Sequence, residues 1–117
     1  MTNIELYKEK IDNLLSLLKG LLNFKILIFT PNKLISSNYE NVNKVVNVVL
    51  DFNSLISNNN SMNSINISDC KIGGYIYTDS LIVDSNLLGY IMFISKEKFN
   101  DIDILKQLKN IIIDLIN

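Results

Sequence analysis

The sequence predicts an α+β domain: a five-stranded antiparallel sheet with the N- and C-terminal helices on one face and a middle helix on the other. Three observations carry this. Apolar residues recur at spacings of three and four at both ends of the chain, from Ile4 to Leu22 and from Leu105 to Ile116. Two short runs, Phe24 to Thr30 and Leu87 to Ile94, are apolar on both alternating sides, as in strands covered on both faces. The element order of helix, two strands, helix, three strands, helix then leaves hairpin-linked strands that pair antiparallel.

Thr2-Asn3-Ile4-Glu5 has the form of a capping box, in which a hydroxyl and a carboxylate satisfy first-turn amides. Ile4, Tyr7, Ile11, Leu14, Leu18 and Leu21 continue from it as a helical stripe that Leu15 and Leu22 widen. Gly20 and Asn23 suit the helix stop, because both tolerate the left-handed conformation. In the first strand Phe24, Ile26 and Ile28 oppose Leu27 and Phe29. Thr30-Pro31-Asn32-Lys33 supplies proline where a turn wants its fixed φ, so Leu34 to Ser37 returns as a hairpin partner.

From Val42 onward, Val45, Val46, Val49, Leu50, Phe52, Leu55 and Ile56 follow helical spacing and predict the middle helix. Ser57 to Asn63 is a polar tract that reads as a loop. Ile65 and Ile67 alternate with Asn66 and Ser68 as in an edge strand, and Gly73-Gly74 breaks the pattern. Tyr75 to Thr78, extending toward Val83, forms the next strand, and Asp84-Ser85-Asn86 turns it into Leu87 to Ile94. There Leu88, Tyr90, Met92 and Ile94 oppose Ile91 and Phe93, and this strand is expected beside the first. Asn100 is the expected cap of the last helix, with Asp101 and Asp103 in its first turn. One domain, residues 1–117, accommodates all of these elements.

Composition removes several kinds of chemistry. The 117 residues include no histidine, so Ser-His-Asp and Cys-His nucleophile systems and imidazole metal ligands are unavailable. No catalytic residue is assigned, and neither metal nor cofactor is expected. Eleven basic residues, all lysine, against twelve carboxylates give a net charge of -1 and no basic face for tracking phosphates, which argues against direct nucleic-acid binding. Arginine, alanine and tryptophan are also absent, and 18 Asn, 19 Ile and 17 Leu reflect the bias of an AT-rich coding sequence.

The single cysteine, Cys70, closes no intramolecular disulfide and favours a reducing compartment. Without a resolving cysteine it reads as an inert small residue rather than a redox sensor, despite the adjacent Lys71. No signal-peptide profile begins the sequence and no apolar run approaches the roughly 20 residues that span a bilayer, so a cytoplasmic protein without membrane contact is expected.

Two surfaces draw functional expectations. Tyr75, Tyr77 and Asp79 project from one side of a strand and offer polar tips and apolar walls to a small ligand; the competing reading is that the tyrosines cover an otherwise wet sheet face. The terminal helices carry more apolar surface than one sheet face needs, which predicts a homodimer through Ile11, Leu14 and Leu18 of the first helix and Leu108, Ile112 and Leu115 of the last. Asp101 and Asp103 form a D-x-D pair of the kind that holds a divalent ion, but capping accounts for both.

The run Phe24 to Ser37 (F-K-I-L-I-F-T-P-N-K-L-I-S-S) is similar to the strand, turn and strand that open GAF and PAS-like sensor domains. Asp84 to Lys98 (D-S-N-L-L-G-Y-I-M-F-I-S-K-E-K), followed by the last helix, resembles the end of the GAF-type regulatory domain of the stage V sporulation protein T family. That resemblance implies a GAF/profilin-like, non-catalytic sensor that dimerises through its helices and controls transcription or signalling, as in sporulation. The family's DNA-binding domain has no counterpart in these residues. The same element order also resembles the roadblock family, which implies an interaction scaffold for a small GTPase or signalling complex.

Overall fold

The computed structural model describes residues 3–39, 62–67 and 72–116. Asn3 starts the first helical segment: its Oδ1 accepts from the Glu5 amide at 3.0 Å, and a 3-10 turn over Ile4–Tyr7 leads into α1, Lys8–Leu18. The expected cap therefore moves to Asn3, while Thr2 lies outside the described residues. The helix also stops earlier than the stripe to Leu22 suggests, because Gly20 takes a φ of +87° that a side chain would disfavour.

The strands are β1 (Lys25–Phe29), β2 (Leu34–Ser37), β3 (Met62–Ile67), β4 (Ile72–Val83) and β5 (Asn86–Ser95), and the second described helix is α2 (Ile102–Ile116). They form one antiparallel sheet in the order β2-β1-β5-β4-β3, so the α+β class holds and β5 does lie beside β1. Thr30 closes the first hairpin, its Oγ1 accepting from the amides of Asn32 and Lys33 at 3.3 and 3.2 Å.

Three boundaries differ from expectation. Met62 and Asn63 belong to β3 rather than to a loop, because they pair with Tyr77 and Ile76. Gly73-Gly74 does not interrupt β4, since both continue the ladder opposite Asn66 and Ile65, and pairing outweighs the glycine penalty. Asp101, not Asn100, caps α2: its Oδ1 accepts from the Asp103 amide at 2.9 Å. The middle helix expected from Val42 to Ile56 lies outside the described residues.

Alternation along the strands sorts their side chains onto two faces. Phe24, Ile26, Ile28, Tyr77, Leu81, Ile91 and Phe93 pack with Ile4, Ile11 and Leu15 from the N-terminal helical segment and Leu105, Ile112 and Ile116 from α2. Both helices therefore cover the same face. Phe24 anchors one end of this core, with its ring edge-to-face to Phe93 at 5.8 Å and to Phe99 at 5.9 Å. Leu27, Phe29, Ile76, Tyr90, Met92 and Ile94 are buried on the opposite face, where Leu34 and Tyr39 pack against them.

The expected grouping of Leu88 with Tyr90, Met92 and Ile94 is overturned by an irregularity in the β4–β5 register. Leu81 faces Gly89 but Ile82 faces Leu87, so Leu88 is the additional residue and packs toward the helix-covered core.

Candidate functional site

Tyr75, Tyr77 and Asp79 do share one side of β4, and that side faces α2. Tyr75 is half-buried, whereas Tyr77 and Asp79 are buried within the chain. Lys109 on α2 reaches down to this strand, and its ammonium donates to Asp79 Oδ2 at 2.8 Å. The other carboxylate oxygen, Oδ1, accepts from the Ser80 amide at 2.8 Å. Only 4% of the Asp79 side chain and 22% of the Lys109 side chain remain exposed, so the pair is a strongly desolvated clamp between helix and sheet. Burial, together with the Asp79 charge, pushes the Tyr77 phenol above its ordinary value and keeps it neutral. A ligand reaching Asp79 has to displace the lysine.

A second clamp holds α1. Asp12 Oδ1 accepts from the Ser36 hydroxyl of β2, and Oδ2 accepts from Lys8 one helical turn earlier at 2.6 Å. At about 100° per residue, Leu14 and Leu17 fall on the flank of α1 opposite Asp12. Ile104, Ile111 and Leu115 likewise fall on the flank of α2 opposite Lys109. Because β2 and β4 lie on either side of the β1–β5 pair, these apolar flanks turn toward each other where α1 and α2 touch.

The dimer residues expected from sequence divide accordingly. Ile11 and Ile112 are fully buried in the chain's own core, so they present no surface to a second copy. Leu14, Leu18, Leu108 and Leu115 are half-buried along the seam. The apolar side chains that reach solvent beside them are Leu17 at 71%, Ile104 at 47% and Ile111 at 51% exposure, which the sequence sets beside the periodic stripes as surplus apolar surface rather than in the expected interface. Their signal was present in the sequence as the width of the stripe, since a core-facing helix needs less than its full apolar arc.

No protein-family model and no curated protein matches this chain. Its site must therefore be read from its own residues. Lys109 is the functional candidate that sequence reasoning missed, although a lysine four residues after Leu105 and three before Ile112 lies within an apolar stripe and so signals a buried partner. Cys70 lies outside the described residues. Among the described residues, no group of three or more His, Cys, Asp or Glu side chains is placed to hold a metal ion, and no helix is long and apolar enough to cross a membrane.

Proposed function

We propose that this chain is a non-catalytic regulatory domain of GAF-like type that works as a homodimer assembled through α1 and α2. The reading takes in the complete expected architecture, with five strands and a further helix over the second sheet face. Its role is to pass a change of state in one subunit to its twin, in the control of transcription or signalling. The observation that supports it best is the outward seam of the helix pair, where Leu17, Ile104 and Ile111 stand in solvent beside half-buried leucines. Contiguous apolar surface rimmed by polar side chains is the usual mark of an association site. Lys10 on the α1 flank and Asp103 and Asp114 on the solvent side of α2 give opposite charges to a two-fold pairing of α1 with the second copy's α2.

Sedimentation velocity across the micromolar range tests this directly. The native chain is expected to sediment as a dimer and the Leu17→Glu/Ile111→Glu variant as a folded monomer. A native chain that remains monomeric throughout overturns the reading.

A small ligand at Tyr75, Tyr77 and Asp79 is the sensory part of the same proposal. Closure of this position by Lys109 favours, as a second reading, a roadblock-like scaffold whose helix face binds other proteins. Thermal-shift screening with small metabolites separates the two: a hit whose shift is lost in Tyr77→Ala supports the sensor, and a full shift in that variant removes the site.

A further inference from the structure

The clamp between β4 and α2 bears on how assembly is controlled. Asp79 and Lys109 join the sheet to α2 by an ion pair between β4 and this helix, and the bond lies on the flank away from the seam. We infer that the Asp79–Lys109 pair is a positioning device that sets the roll of α2, so that Ile104, Ile111 and Leu115 line up with Leu14 and Leu17 for a second copy. This rests on the assembly reading above.

The geometry gives three reasons. Leu105, Ile112 and Ile116 fix the depth of α2 on the sheet, but apolar packing is non-directional and tolerates small rotations of a helix about its own axis. A charge-assisted hydrogen bond does have direction, and this one is anchored at both ends. Asp79 is itself fixed by the Ser80 amide, and Lys109 emerges between the buried Leu105 and Ile112. A rotation that moves Lys109 away from Asp79 also carries Ile104 and Ile111, on the opposite flank, out of line with α1. Polar anchors of this kind contribute specificity of arrangement more than stability, because replacing both charges together removes their desolvation cost along with their attraction.

The pair thus connects the inner side of β4, with Tyr77 next to the carboxylate, to the outer surface used for assembly. A cationic ligand that took over Asp79 would release Lys109 and loosen the dimer. The same route would run in reverse, with the dimer favouring the closed pair.

The test uses Asp79→Asn/Lys109→Met, which removes the pair without leaving an unpaired buried charge, and Lys109→Arg, which keeps it. Dimer dissociation constants come from sedimentation equilibrium and fold stability from urea unfolding of the same samples. The double variant is expected to dissociate about tenfold more readily while its urea midpoint stays near that of the native chain, and Lys109→Arg to dimerise as the native chain does. An unchanged dissociation constant in the double variant overturns this inference and leaves the dimer standing. A native chain that never dimerises overturns both, and a weaker dimer matched by a proportionate loss of fold stability assigns the pair to folding and overturns its positioning role.

Discussion

Asn38 links three places in the chain at once. Its amide donates to the Ile26 carbonyl at 3.2 Å, its Oδ1 accepts from the Ile26 amide at 2.8 Å, and its Nδ2 donates to the Leu15 carbonyl at 3.1 Å. A buried carboxamide thereby ties the end of α1 to the head of β1. Asn38→Ala leaves the Ile26 amide without its acceptor, and urea unfolding is expected to show a loss of about 2 kcal/mol. Thr78 is the opposite case: its Oγ1 is buried and finds no hydrogen-bond partner among the described residues. Thr78→Val keeps the shape and removes that desolvation cost, so it is expected to stabilise the fold by about 1 kcal/mol on the same assay; a loss of similar size would show that the hydroxyl is satisfied. Neither role was legible in the sequence. Asn38 is one of 18 asparagines, and nothing local distinguishes a clasp from a solvated turn.

The secondary-structure elements were far more legible. Periods of 3.6 and 2 follow from backbone geometry, so the stripes of α1 and α2 and the doubly apolar β1 announce which sides they bury. What periodicity misses is an added residue. Leu88 reverses side because the β4–β5 register slips by one, and only the pairing of Leu81 with Gly89 reveals it. Gly89 shows why the strand has no side chain there: a Cβ would lie 2.8 Å from the Phe29 carbonyl oxygen and 3.4 Å from Ile4 Cδ1. Gly89→Ala forces β1 and β5 apart beneath the first helical turn, and thermal melting is expected to report a destabilisation of about 2 kcal/mol. The candidate site was half legible for the same reason. Alternation brought Tyr75, Tyr77 and Asp79 to one side of β4, but only the packing of α2 on the sheet supplied Lys109.

Taken as one body, the molecule holds its two described helices by polar contacts on either side of the β1–β5 pair. Burial pushes the Asp12 carboxyl up, but hydrogen bonds from Lys8 and Ser36 and the Lys8 charge outweigh it and hold the group below its ordinary value of 3.8. A carboxylate depressed by folding stabilises the native state above the ordinary carboxylate range, and that contribution disappears as pH falls through it. Urea midpoints taken at about pH 6 and about pH 3 are therefore expected to fall less in Asp12→Asn than in the native chain, since the variant has nothing to lose at this position. A steeper fall in the variant would reverse the sign assigned to Asp12.

The strand order has a consequence for the way the chain is made. β5 lies in the middle of the sheet, between β1 and β4, although residues 86–95 leave the ribosome after the other four described strands. Until they emerge, β1 and β2 can close as a hairpin but have no bridge to β3 and β4. Closure of the sheet on the nascent chain should therefore wait for β5 and be abrupt, with the two halves of the sheet standing as separate ribbons until the strand that joins them emerges.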